Sequence, residues 1–170
     1  MSGVYVPTDE ELMDLFFELG LKGYVLGELQ KLTISALPGS NLFRLEKGTL
    51  LGVDCYWVNG ENSFGFTCLW ARGLPVWRMQ YFGFCRDKAV MPFLKMALQR
   101  NYERKIFMGG RGPAILNNLP DGENSDLTYQ NTTAPESNFS RFRGFDQITG
   151  ENGEVKYCHD YSGGFIIPRS

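Results

Sequence analysis

Gly73-Leu74-Pro75-Val76-Trp77-Arg78-Met79-Gln80-Tyr81-Phe82-Gly83 returns, altered, as Gly153-Glu154-Val155-Lys156-Tyr157-Cys158-His159-Asp160-Tyr161-Ser162-Gly163. The two stretches align without a gap. Both outer glycines and the second aromatic are identical, and Trp77 meets Tyr157. Just upstream, Gly65-Phe66-x-x-Leu69 lies over Gly144-Phe145-x-x-Ile148, with one extra residue in the second copy. Self-similarity at a fixed offset implies one supersecondary unit used twice.

Within the repeated strand, alternation sets Trp77, Met79 and Tyr81 on one face, and Tyr157, His159 and Tyr161 in the corresponding places. Large rings on one side of a period-two pattern mark the core face. The opposite face, with Arg78, Gln80, Lys156 and Asp160, is expected to meet solvent. Upstream, Leu51, Val53, Cys55 and Trp57 point one way, and Gly52, Asp54 and Tyr56 point to the less apolar side. Asn59-Gly60 is a hairpin signal, because both positions of a tight hairpin turn require positive φ. Residues 49–84 therefore form a three-strand antiparallel meander. A second meander covers about 127–165, with strands near 127–131, 142–149 and 154–162. In strand 64–71, Phe66, Cys68 and Trp70 line one side, yet Leu69 opposite is apolar too. A helix should cover that side, and the one near 87–103 is the candidate.

Two helices complete the pattern. Thr8-x-x-Glu11 is a capping box ahead of Leu12, Leu15, Phe16 and Leu19, with Gly20 as the stop. Residues 87–103 place Val90, Leu94, Ala97 and Leu98 at helical spacing, with Asp87 as cap and Pro92 in the first turn. Residues 21–47 are mixed, with a turn at Leu37-Pro38-Gly39-Ser40-Asn41, and 108–126 read as loop. The fold class is α+β: two pseudo-repeated antiparallel meanders packed with an N-terminal helix and a central linking helix. At 170 residues the chain is expected to form a single domain.

A net charge of −2, with both signs scattered, argues against a nucleic-acid partner, since neutralising phosphates needs a basic patch. Phe 13, Tyr 8 and Trp 3 give an aromatic-rich core. The four cysteines form no Cys-x-x-Cys pair and have a single histidine for company, so neither metal nor cofactor is expected. Without a charged-plus-apolar leader or a run of roughly 18 apolar residues, the expectation is a cytoplasmic chain with no membrane partner.

The candidate chemistry is sparse. In Gly109-Gly110-Arg111-Gly112-Pro113, consecutive amides form a concave nest for an anion, with Arg111 as a two-pronged donor; the same run also serves as a plain connector. Asp54 and Asp146, one in each unit, form a pair if the units bring them together; otherwise each bonds separately. His159 inherits the place of Met79 and is a core ring, or else a general base beside one of those acids. No nucleophile elbow is present.

A wider set of motifs supports a resemblance. These are an N-terminal Leu-x-x-Phe-Phe helix leading to Gly23-Tyr24, then Val53-Asp54-x-Tyr56, then Gly73-x-Pro75-Val76-Trp77-x-Met79-x-Tyr81-x-Gly83. Arg111-Gly112-Pro113 and Tyr161-x-Gly163-Gly164 follow. Together they resemble an uncharacterised prokaryotic domain-of-unknown-function family, whose members stand alone or behind an Xre-type helix-turn-helix. The family pattern has a glutamate where this chain has Thr67 and Asp146. The resemblance implies the fold and a sensor or accessory role. DNA binding is not carried over, because the helix pair that reads DNA is not found here.

The leading expectation is a non-catalytic module binding a small molecule or a protein, with Asp54, Arg111 and Asp146 converging at the junction of the units. One alternative is a small acid–base enzyme, a hydrolase or isomerase, using Asp54 or Asp146 with His159. A second is an adaptor or homodimer built through exposed strand edges; the chain is expected to be a monomer or a homodimer.

Overall fold

The computed structural model describes residues 7–119, 121 and 124–166. The first helix, α1 (Asp9–Gly20), begins with the capping box in full. Glu11 N donates to Thr8 Oγ1 at 3.2 Å, and Thr8 N donates to Glu11 Oε2 at 2.8 Å. Leu12, Leu15, Phe16 and Leu19 form its buried stripe. α1 ends at Gly20 as expected, but the backbone stays helical there, with φ −65°, and a π turn, Leu21–Val25, follows, closed by Leu26 N donating to Leu21 O at 2.8 Å. Glycine is needed here for close approach instead, since a Cβ would sit 2.7 Å from the Tyr102 ring.

Among the described residues nine strands form one antiparallel sheet: β1 (Leu32–Ile34), β2 (Leu37–Lys47), β3 (Leu50–Asn59), β4 (Asn62–Ala71), β5 (Leu74–Cys85), β6 (Ile115–Asn118), β7 (Asn124–Thr133), β8 (Arg141–Thr149) and β9 (Val155–Phe165). Their spatial order is β1-β2-β3-β4-β5-β9-β8-β7-β6. With two helices on this sheet, the architecture is α+β. β3, β4 and β5 stand where the alternation placed them, turning at Gly60, φ +62°.

Two expectations are corrected. Leu37-Pro38-Gly39-Ser40-Asn41 is not a turn but a bulged stretch of β2. The turn is Ser35-Ala36, and the register against β1 shifts between Leu32↔Leu42 and Ile34↔Leu37. Gly39, at φ +75°, absorbs the extra residues, as bulges require. The expected loop at 108–126 contains β6, and β7 begins at Asn124; residues 120, 122 and 123 of that stretch lie outside the described residues.

β5 and β9 form the central seam. Tyr81 faces Tyr161, and the pairing runs from Trp77↔Phe165 to Cys85↔Tyr157. The second helix, α2 (Met91–Glu103), follows a 3₁₀ turn, Lys88–Val90, whose cap is Asp87, and carries Pro92 in its first turn. The helix over β4 is α1, not α2: α1 packs on β2, β3 and β4, while α2 lies against α1, the π turn and β7. Hence the side of β3 bearing Gly52, Asp54 and Tyr56 is the covered one. A Cβ on Gly52 would lie 3.1 Å from Leu19 Cδ2. On β5 and β9 the core face is as expected, with Trp77, Met79, Tyr157 and Tyr161 buried. Among the described residues, no helix is long and apolar enough to cross a membrane.

Candidate functional site

Between the helices and the inner face of β3, β4, β5 and β9 lies a cavity of about 320 Å³. Apolar side chains from α1 and α2 (Phe16, Leu19, Leu94, Leu98) form much of its wall, and the sheet contributes the polar groups. The exposed members of the lining, Val58, Gly60, Glu61 and Lys88, mark the mouth.

Asp54 projects inward because it is in phase with Gly52 and Tyr56. Its Oδ1 accepts from the Thr67 hydroxyl at 2.8 Å and from the Tyr81 hydroxyl at 2.9 Å. Among the described residues Oδ2 makes no hydrogen bond, and the carboxyl lies in the cavity wall. Burial pushes the Asp54 carboxyl up; the two hydroxyls and the charge of Arg111 pull it back.

Arg111 reaches the same wall from the loop that follows α2. Its Nε donates to Asp146 Oδ2 at 2.9 Å, its Nη2 donates to the Tyr157 hydroxyl, and Nη1 makes no hydrogen bond among the described residues. Asp146 is fully buried and also accepts from the Tyr129 hydroxyl at 2.9 Å. Burial raises the Asp146 carboxyl, opposed by the guanidinium and the tyrosines. Burial works against the Arg111 cation, yet the Asp146 carboxylate holds it above its ordinary range. The 2.9 Å contact makes Asp146 the counter-ion of Arg111.

His159 stands beside Asp146 across the β8–β9 ladder, but its Nε2 lies 2.8 Å from Ser63 Oγ and is bonded to neither acid. Its Nδ1 is buried without a partner. The Tyr81 and Tyr157 rings flank it, with centroids 5.7 and 4.8 Å away. Burial, helped by the nearby Arg111 charge, lowers its pKa to about 3, so the ring is neutral.

Of the four residues singled out in the sequence, Asp54, Arg111 and His159 line the cavity, and Asp146 stands behind Arg111 as its counter-ion. The glycine-rich run is not an open nest. The Arg111 amide donates to Met108 O at 3.2 Å, and the Gly112 amide donates to the Tyr129 hydroxyl at 2.9 Å. Sequence reasoning missed Ser63 and Tyr129, whose partners lie 96 and 17 residues away. It also missed Tyr24 as a wall residue, although Gly23-Tyr24 stood among the shared motifs. The arrangement can grip a small apolar body and offer it a carboxyl oxygen of Asp54 and the Nη1 of Arg111.

A family pattern described as a domain of unknown function, DUF5680, matches residues 54–166. The chain belongs to that family. The DUF5680 match opens at Asp54 itself and contains Thr67, Tyr81, Arg111, Asp146, Tyr157 and His159; α1 and the π turn, which close the cavity from above, precede it. No curated protein and no solved structure matches the chain.

Proposed function

We propose that this chain is a non-catalytic module that holds a small organic molecule in the cavity beneath its helices. The observation that carries this reading is the cavity wall, apolar but for a few polar groups, among which Asp54 Oδ2 and Arg111 Nη1 make no hydrogen bond within the described residues, while His159 Nδ1 is buried beside it without a partner. Buried polar atoms are nearly always bonded, and a concave apolar site with a few placed polar groups is what a ligand needs. An Asp–His proton relay has no support in the hydrogen bonding, since His159 Nε2 is bonded to Ser63 and no hydrogen bond joins the ring to Asp54 or Asp146. Four free cysteines accord with a reducing, cytoplasmic setting.

We further read the two halves of the sheet as copies of one unit, and this explains where the cavity lies. Tyr81 donates to Asp54 above Gly65, whose Cβ would lie 2.6 Å from that hydroxyl. Tyr161 donates to Asn131 above Gly144, whose Cβ would lie 2.5 Å from that hydroxyl. Asp54 pairs with Thr67 in the ladder as Asn131 pairs with Asp146. Over Tyr161 and Asn131 the space is filled by the loop after α2: a Cβ on Gly109 would be 2.3 Å from the Tyr161 ring. Over Tyr81 and Asp54 the corresponding space is the cavity.

The test is a metabolite screen by thermal shift, followed by methyl NMR on Met79, Leu94 and Leu98. Hits should raise the melting temperature, move those methyls and be recovered unchanged. Flat melting curves throughout sink the binding reading, and consumption of a hit sinks the non-catalytic one.

A further inference from the structure

We infer that the occupant of this cavity carries a protonated amine that docks on Asp54. The inference rests on the binding reading above and gives it a ligand class. Two observations support it, one from hydrogen-bond complementarity and one from charge.

The first is what the loop supplies in the other half. Asn131 accepts the Tyr161 hydroxyl through Oδ1, as Asp54 accepts Tyr81. Its Nδ2 then donates to two backbone carbonyls, Met108 O at 2.9 Å and Gly112 O at 2.8 Å. Aspartate and asparagine have the same shape, so Asp54 Oδ2 stands where Asn131 has its NH₂. An oxygen in that place inverts the requirement: the loop answers a donor with acceptors, and the cavity's occupant must answer an acceptor with donors. An ammonium supplies three.

The second is the balance of charge. Arg111 is neutralised by Asp146 at 2.9 Å, His159 is neutral, and Glu61 and Lys88, of opposite sign, are both exposed to solvent at the mouth. Among the described residues in the wall, Asp54 is left as the carboxyl with no cation of its own within a hydrogen bond. An uncompensated carboxylate in an apolar surround is costly and takes up either a proton or a counter-ion.

The experiment uses three probes of one shape: benzylamine, benzyl alcohol and benzoate, titrated at neutral pH and followed by methyl shifts of Leu94 and Leu98. Benzylamine should bind at least about tenfold more tightly than benzyl alcohol, and benzoate should bind weakest. Asp54→Asn, which keeps an acceptor for Tyr81 and Thr67, should erase the amine preference while the melting temperature shows the protein folded. Glu61→Gln at the mouth should leave the preference in place. Benzoate binding best, or all three binding alike to the wild-type protein, overturns this inference and leaves the cavity reading standing. If none of the three moves the methyls, the cavity reading fails and the amine goes with it. An amine preference lost in Glu61→Gln but kept in Asp54→Asn places the cation at the mouth and also overturns the proposal.

Discussion

Arg111 holds the polar floor of the cavity together, and its removal is the sharpest single test of that floor. Arg111→Met leaves a fully buried carboxylate with the Tyr129 hydroxyl and the distant Tyr157 hydroxyl as its donors. Breaking a buried pair from one side costs roughly 3–5 kcal/mol, which urea denaturation should register. Adding Asp146→Leu should recover much of that loss. Wild-type stability for Arg111→Met alone would mean that the pair does not form. His159 offers a test by titration, since it is the one histidine in the chain. Its folded pKa, lowered to about 3, lies below an unfolded value of about 6.5. Between those values the unfolded chain binds the extra proton. Its contribution is therefore complete above about pH 6.5 and declines by about 1.4 kcal/mol per pH unit as pH falls toward 3. The raised Asp54 carboxyl acts in the opposite sense, weakening the fold as pH rises through its folded value, so the histidine's share is read as wild type minus His159→Gln. By NMR the ring should not titrate between about pH 5 and 8; a midpoint near 6.5 would place it in water. Asp54 and Arg111 could be singled out in the sequence because charged residues are conspicuous among apolar strands and glycines. Ser63 and Tyr129 could not, because their partners come from strands that only the closed sheet brings near.

At the scale of elements, local chemistry explains what the sequence revealed and what it concealed. Asn59-Gly60 announced the β3–β4 hairpin, although the two-residue turn is Gly60-Glu61, with Asn59 still in β3 opposite Asn62 and Gly60 alone at positive φ. Pro38-Gly39 carries the same kind of signal but serves a bulge, tied from both sides by Trp57 Nε1 donating to Pro38 O at 3.1 Å and Ile34 N donating to Ser40 Oγ at 2.8 Å. β6 has four residues and gains its identity from pairing with β7, so nothing local marks it. Gly60 and Gly83 turn this distinction into a prediction. Gly60→Ala meets open space at φ +62°, so its cost is the left-handed strain alone, about 1–2 kcal/mol. Gly83→Ala would place a Cβ 1.9 Å from the Cys158 carbonyl oxygen, inside the β5–β9 seam. The seam must separate, and a loss above about 4 kcal/mol is expected. Thermal melts of the two variants decide the matter: comparable losses would show that the strands are not packed so closely.

For the molecule as a whole, the cavity is a burden on stability that a purely structural domain would have no reason to keep. A dry void of about 320 Å³, at roughly 24 cal/mol per Å³, would cost about 8 kcal/mol, as much as many domains have in total. The polar wall and open mouth admit water and reduce that figure, but α1, α2 and the sheet still forgo contacts across the gap. Filling the space from within should then stabilise the fold and oppose binding, the trade expected when a site is kept open for use. Leu98 lies in the cavity wall on α2 and is itself buried, so Leu98→Phe extends a ring into the gap without disturbing the Asp54 or Arg111 bonds. We expect a gain of about 1 kcal/mol in urea unfolding, together with weaker binding of any compound whose signals report on Leu94 and Met79. A variant that is both less stable and unchanged in binding would show that the space is closed to side chains and that ligands bind elsewhere. The two halves of the sheet would then have to be explained without the asymmetry that the loop after α2 creates between them.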